Sequence, residues 1–240
     1  MDPEYLAVHA EEDRLHWYFR GRLAVLLGVL RRVLPPRRVR LLEIGCGTGN
    51  VLVALGEFGQ AVGMESNDVL LAGARAAGLD VRKGALPDDL VVAPEWADVV
   101  LLLDVIEHLD DDVAGLRGAR RALARGGLLV VTVPAYRWLW SGHDVALGHR
   151  RRYTAARLRG AVEAAGYRVE RVSYFNTLLF PVIAAVRLWK RLRGDERHDL
   201  ERPRPALNAL LERLVALERR VVPTSALPFG VSLLPVARRP

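Results

Sequence analysis

Between Val39 and Val133, short apolar runs alternate with stretches in which apolar residues recur every three or four positions. That alternation predicts β-strands joined by amphipathic helices, the signature of βαβ units around a parallel sheet. Strands are expected at Val39–Ile44, Gln60–Glu65, Asp80–Lys83, Asp98–Leu103 and Leu128–Val133, with helices at Asn50–Phe58, Asp68–Ala77 and Asp111–Ala124. Gly59, Gly78 and Gly126–Gly127 fall just past helix ends, where a left-handed residue is favoured. The acidic run Asp110-Asp111-Asp112 opens a helix, where negative charge complements the dipole.

Upstream, Leu15–Leu34 has the pattern of a helix stopped by Pro35-Pro36. Downstream, Thr154 is placed to cap a helix that runs to Ala165 and stops at Gly166. Tyr167–Tyr174 alternates as a strand, and Gly230–Ala237 is the other late strand candidate. The long stretch between them is expected to hold structure rather than loop. It divides into a helix at Leu178–Leu192, a polar stretch at Arg193–Pro205 and a second helix at Ala206–Arg220.

These elements define an α/β fold: a Rossmann-like, seven-stranded, mostly parallel sheet with helices on both faces and a C-terminal helical insertion, its late strands forming a reversed edge pair. One domain over 1–240 is expected, with an N-terminal helical cap at 1–36, a cofactor-binding core at 37–174, the insertion at 175–227 and a final strand at 228–240. No repeat or low-complexity tract interrupts it.

Composition changes this picture little. The formal charge is +7, yet lysine occurs only at Lys83 and Lys190, and the arginine-, alanine- and leucine-heavy usage matches a coding bias as well as an anionic partner. The basic residues do cluster, at Arg31–Arg40, Arg150–Arg152 and Arg187–Arg193. The single cysteine, Cys46, excludes an intrachain disulfide and a cysteine-based zinc site. The polar N-terminus is unlike a signal peptide, and the longest apolar stretch, Thr177–Val186, is about half the ~20 residues of a membrane span, so a cytoplasmic protein is expected.

The chemistry is concentrated at the end of the first strand, where Glu43-Ile44 runs into Gly45-Cys46-Gly47-Thr48-Gly49-Asn50. Glycines there let the backbone turn tightly and approach a ligand at the carboxyl end of a strand. Glu65 ends the second strand, twenty residues after Gly45, where a carboxylate can accept both hydroxyls of a ribose. Nicotinamide dinucleotide binding would ask for G-x-G-x-x-G; here Gly49 comes one residue early, and Glu43 is foreign to that fingerprint.

The segment Glu43–Asn50 resembles motif I of class I S-adenosylmethionine-dependent methyltransferases, and the resemblance runs from about Glu43 to Ala165, in the small-molecule branch that includes the UbiG-like enzymes. Val62–Ser66 resembles the family's ribose-binding motif and Lys83–Pro87 its adenine-facing loop, with Ala85 where an aspartate is common. Asp104–Leu109 is similar to the segment after strand four, Leu123–Gly127 to the helix end before strand five, and His16–Arg20 to an N-terminal segment of some members. The resemblance implies S-adenosylmethionine as cofactor. Gly45, Gly47 and Gly49, with Cys46, would lie under its methionine and ribose, Glu65 and Ser66 would take the ribose, Ala85 and Leu86 would flank the adenine, and Asp104 would sit near the amino group, with Glu43 orienting that end. Tyr18 and Arg22, four apart on one helix face, are candidates for the cofactor carboxylate, with Arg20 as the alternative.

Methyl transfer needs alignment above all, and a general base when the acceptor must lose a proton. Candidates lie in the loop expected after strand five, Ser141–Tyr153: His149 or His143 as base, with Asp144, Arg150 and Tyr153 holding a small, anionic or lipid-linked acceptor. Trp138, Trp140 and Tyr136 would wall a pocket or simply pack. The histidines lack the spacing of metal ligands, so no metal is expected. A nucleic-acid methyltransferase would use the arginines, but no N/D-P-P-Y/F motif or nucleic-acid module is present, so no nucleic-acid partner is expected. A protein that holds the cofactor without transferring methyl is the other reading. The apolar stretch 178–193, ending in Arg187, Lys190, Arg191 and Arg193, could contact a membrane peripherally, seal a homodimer or cap a pocket.

Overall fold

The structure is a computed structural model that describes residues 10–193 and 202–240. Most of the polar stretch expected at Arg193–Pro205 lies outside the described residues. The chain divides into two compact units: a sheet unit of Pro35–Val133, Ala155–Val172 and Leu234–Pro240, and a helical unit of Met1–Leu34, Pro134–Thr154 and Ser173–Leu233.

Seven strands form one sheet: β1 Val39–Ile44, β2 Gly59–Glu65, β3 Val81–Lys83, β4 Ala97–Leu103, β5 Leu123–Pro134, β6 Arg168–Phe175 and β7 Ser232–Arg238. Their order is β3-β2-β1-β4-β5-β7-β6. β3, β2, β1, β4 and β5 run parallel, with Leu42 level with Val62 on one side and Val100 on the other. β7 runs the other way. Arg239 exchanges backbone bonds with Gly126 and Gly127 at one end of β5, and Ala135 donates to the Val231 carbonyl at the other. Leu41, Leu42, Val99–Leu102 and Leu129–Val131 are almost wholly buried, as the central strands of a parallel sheet must be. α2 Asn50–Leu55, α3 Asp68–Ala76, α4 Asp112–Ala122 and α6 Ala155–Ala164 complete the sheet unit.

Departures from the sequence reading have local causes. α2 ends at Leu55 rather than Phe58 because the chain leaves the helix to set the Phe58 carbonyl on the Val39 amide, 3.0 Å away, where the β1–β2 ladder begins. Gly59 lies so close to Val39 that any side chain there would strike its backbone. β5 starts at Leu123, five residues earlier than expected, directly after α4.

The helical unit contains α1 Trp17–Val33, α5 Gly142–Leu147, α7 Phe180–Leu192 and α8 Pro205–Leu217. Gly21 and Gly28, one heptad apart on α1, let it approach the α8 end of the chain closely. A Cβ on Gly21 would stand 2.7 Å from Val215 Cβ, and one on Gly28 2.8 Å from the Arg219 carbonyl. The Asn208 side chain ties the start of α1 to α8, accepting from the Trp17 amide at 3.0 Å and donating to the Leu15 carbonyl at 2.9 Å. Glu218, just past α8, is buried. It accepts from the amides of Asn176, Thr177 and Leu178 at 2.7, 2.7 and 3.1 Å, which satisfies the backbone leading into α7.

The segment expected as a loop after β5 is instead folded. A 3₁₀ turn at Arg137–Leu139 leads to α5, whose start is a capping box: the Asp144 carboxylate accepts from the Ser141 amide at 2.9 Å, and the Ser141 side chain caps in return. Gly148 closes the helix in the left-handed conformation.

Candidate functional site

In the sheet unit, the β1–α2 turn lies at the carboxyl ends of the parallel strands. Gly45, Gly47 and Gly49 all have positive φ, at 72°, 54° and 76°, a backbone that L side chains adopt at a cost. Nothing lies within 4 Å of the place a Gly47 side chain would occupy, so the turn borders open space on that side. Glu65 is buried at the end of β2. One of its oxygens accepts from the Gly47 amide at 2.9 Å and the other from the Asn67 amide at 2.8 Å. The residue read as a ribose acceptor therefore also fastens the glycine turn to β2. An ionised carboxylate has about four acceptor sites, and two are taken by these amides.

Cys46 contributes backbone rather than a reactive thiol. Its sulfur packs at Gly63, where a Cβ would come within 2.6 Å of it. Burial, with the Glu43 and Glu65 charges, pushes the thiol far above its usual range. Glu43 is buried on β1. Asp104 leaves β4 with φ of 57°, a strained conformation for a non-glycine residue, and its carboxylate accepts from the Thr132 hydroxyl at 3.1 Å. Ala85 is exposed and bridges Asp89 across a short turn, with Leu86 beside it half-buried. Ser66 is exposed. Sequence reading missed Asn67, whose side chain caps α3 through the Val69 and Leu70 amides at 3.0 and 3.1 Å, and Thr132, the partner of Asp104.

In the helical unit, Asp144 has no exposed surface and is the hub of a charged network. Arg152 grips it with two bonds, Nε to Oδ1 at 2.7 Å and Nη2 to Oδ2 at 2.9 Å, and gives Nη1 to the Ala135 carbonyl at 3.0 Å. His149 Nδ1 lies 2.8 Å from Asp144 Oδ1. Burial would raise the Asp144 carboxyl, but the bonds from His149 and Arg152 outweigh it and hold the group well below the usual carboxylate range. The ionised Asp144 carboxylate thus faces His149 Nδ1 and fixes the orientation of its ring. The ring of His143 is 6.3 Å from that of His149, nearly perpendicular. Burial, then the positive charge of Arg187, pushes the His143 pKa well down, so it is neutral near pH 7.

These positions separate residues that the sequence left together. Asp144, read as an acceptor ligand, is enclosed and saturated by Arg152, His149 and Ser141, so it orients the histidine instead. Tyr153, read the same way, is fully buried, with its backbone paired to Pro134 and Tyr136. Of the three arginines, Arg150 is exposed, Arg151 half-buried and Arg152 internal. Arg22 is buried, its guanidinium 5.3 Å from the Phe19 ring, whereas Arg20 is half-exposed and pairs with Glu212 at 2.8 Å. The Tyr18 hydroxyl shares a 3.0 Å hydrogen bond with Ser232. Phe19, with Tyr18, packs on Leu147 and Ala146, which seats α1 against α5. Tyr136 and Trp138 stack, Tyr136 lies flat on Tyr174 at 5.2 Å, and both meet Phe180.

Known proteins resemble this chain in sequence and in fold. A family described as a methyltransferase domain matches residues 16–172, well over half of the chain. The chain belongs to the methyltransferase-domain family, whose methyl donor is S-adenosylmethionine. It is 34% identical over 158 residues to a ubiquinone biosynthesis O-methyltransferase of Methylobacterium nodulans, covering 58% of this chain and 64% of that one. It is 33% identical over 135 residues to a Mycolicibacterium smegmatis protein named as an S-adenosylmethionine-dependent methyltransferase, covering 54% and 52%. The chain thus spans between half and two-thirds of the length of these relatives. Among solved structures it is similar in fold to a Haloferax volcanii methyltransferase in complex with the Trm112 methyltransferase activator (TM-score 0.65, 21% identity, 99% and 95% covered). It is also similar to an S-adenosylmethionine-dependent methyltransferase of Thermotoga maritima (TM-score 0.59, 20% identity, 98% and 99% covered).

Proposed function

We propose that this protein transfers the methyl group of S-adenosylmethionine to a small acceptor that gives up a proton. The observation that carries the cofactor half is Glu65: a buried carboxylate facing both the positive-φ glycine turn and the amide that begins the next helix segment. Open space beside Gly47 and acceptor capacity left on Glu65 fit a ribose bearing two adjacent hydroxyls. Gly45, Gly47, Gly49 and Cys46 would support the donor through backbone, Ser66, Ala85 and Leu86 would border the nucleoside, and Asp104 with Glu43 would meet the cationic amino group. When bound, the cofactor supplies the methyl on a sulfonium, an excellent leaving group.

The acid–base half rests on Asp144 and His149. On this reading His149 takes the acceptor proton, and Asp144 orients its ring through Nδ1. His143, neutral beside it, is the second candidate base, and exposed Arg150 is the candidate contact for an anionic acceptor. The relatives named as O-methyltransferases favour a hydroxyl acceptor of small size. Calorimetry with S-adenosylhomocysteine, followed by incubation with label-bearing cofactor and fractionated extract, tests both halves. Micromolar binding and label in a small-molecule fraction are expected. Tight binding of NAD without the methyl donor would overturn the cofactor assignment, and label only in nucleic acid would overturn the acceptor class.

A further inference from the structure

Helix α7 turns a largely apolar side to solvent. Its inner side holds Phe180, which packs on Tyr136, Trp138 and Phe229 with ring centroids 5.5–5.9 Å apart, and Arg187, whose Nη1 donates to the Leu139 carbonyl at 3.0 Å. On the side facing solvent Val182, Ala185, Val186, Leu188, Trp189 and Leu192 are exposed, with Pro181 beside them and Arg191 the one exposed charge of the helix, and no residue of the helix is buried. Val182 is 64% exposed and Leu192 79%, values that a packed amphipathic helix reserves for its polar face. At 100° per residue these six span an arc of roughly 160°. A contiguous exposed apolar face of this kind marks an interaction surface.

Charge decides the occupant. From Leu178 to Arg193 there is no acidic residue against four basic ones. Lys190 and Arg191 flank the apolar arc, and the Arg193 guanidinium lies 4.1 Å from the centre of the Trp189 ring at its end. An apolar face with tryptophan and arginine at its margin suits the boundary between acyl chains and headgroups. The helix has 13 residues, about 20 Å, which is too short to cross a bilayer, and no helix among the described residues is long and apolar enough to do so. A second copy seated on this face would enclose the Arg193–Trp189 pair with no carboxylate on the same helix to meet it. Anionic lipid neutralises that charge instead.

We propose that α7 is a docking surface for a phospholipid bilayer with anionic headgroups, lying in the interface with its apolar face inserted and Arg191 and Arg193 at the phosphates. It stands apart from the methyl-transfer reading and holds whether or not that reading does.

The test is co-sedimentation of the whole chain with vesicles of phosphatidylcholine containing about a third phosphatidylglycerol, against vesicles of phosphatidylcholine alone. Binding to the anionic vesicles is expected, weaker at high salt, with little binding to the neutral ones. Val186→Asp and the pair Arg191→Glu/Arg193→Glu each alter exposed positions, so the fold should persist, as circular dichroism would check. Each should weaken anionic-vesicle binding at least about tenfold. Absence of binding, equal binding to both vesicle types, or binding unaffected by either variant overturns the proposal. A wild-type dimer without vesicle affinity, made monomeric by Val186→Asp in analytical ultracentrifugation, would assign the face to a second copy instead.

Discussion

The Gly47 amide donates to a Glu65 oxygen at 2.9 Å, so the carboxylate assigned to the ribose is also the fastener of the glycine turn. On the proposed reading, binding the donor and shaping the turn are coupled in one side chain. A substitution at Glu65 acts on both, and the two effects separate by comparing isosteric and truncating changes.

Glu65→Ala removes the acceptor for the Gly47 and Asn67 amides and for the ribose. Loss of a charged hydrogen bond costs about 1.5–3 kcal/mol, so affinity for S-adenosylhomocysteine should fall roughly ten- to hundredfold. Glu65→Gln keeps one acceptor oxygen but turns an amide donor toward a backbone N–H, and should fall between wild type and alanine. Titration calorimetry on the folded variants checks this; an unchanged dissociation constant in both would move the ribose partner elsewhere.

Gly21 and Gly160 respond oppositely to alanine. In a helix interior alanine is favoured over glycine by up to about 1 kcal/mol. At Gly160 on α6 nothing lies within 4 Å of the new methyl, so that gain should appear as a higher melting temperature. At Gly21 the methyl would meet Val215 Cβ at 2.7 Å, and overpacking of about 1–3 kcal/mol should outweigh it. Thermal denaturation of the two variants decides. A stabilised Gly21→Ala would mean that α1 and α8 are less closely packed than described.

The sheet was legible because buried parallel strands leave uninterrupted apolar runs; the limits of β1 coincide with the expected ones, and β2 differs by one residue. α5 was not, because six residues are too few for periodicity, although Ser141 and Asp144 at capping-box spacing carried the signal. Nor does a run of three arginines reveal which one turns inward. Arg152 does so because it reaches both Asp144 oxygens and the Ala135 carbonyl at once, a tertiary match that no local pattern encodes. The turn-fastening role of Glu65 was equally hidden, since it depends on two backbone amides being brought to one carboxylate.

His143 should make stability depend on pH below neutrality. Burial and Arg187 lower its folded pKa well below the unfolded value of 6.5. Between those two values the unfolded chain holds a proton that the folded chain lacks. The stabilising contribution is thus complete above about pH 6.5 and is lost as pH falls toward the folded value, at up to about 1.4 kcal/mol per pH unit. Urea unfolding of wild type and His143→Gln at pH 7, 6 and 5 isolates this part, because Asp144 and the other carboxylates are common to both. Parallel pH profiles would show that His143 is free to protonate in the folded state.

The Asp144–His149 pair makes the sharpest kinetic prediction. His149→Ala should lower methyl transfer by about 10²–10⁴, the usual worth of a positioned base, with donor affinity within a few-fold of wild type. Arg150→Ala should instead raise the acceptor KM while kcat changes little, since Arg150 is exposed and lies outside the bonds that hold Asp144. Asp144→Asn tests the orienting role. It would remove the charge that orients the His149 ring, and kcat should fall toward that of His149→Ala even where the protein stays folded. It also leaves Arg152 buried opposite a neutral amide, so stability should drop by about 3–5 kcal/mol, and the kinetics are best compared at low temperature. If His149→Ala turns over at the wild-type rate while Asp144→Asn only destabilises, the network is a fastening for α5, and proton transfer belongs to His143 or to the acceptor itself.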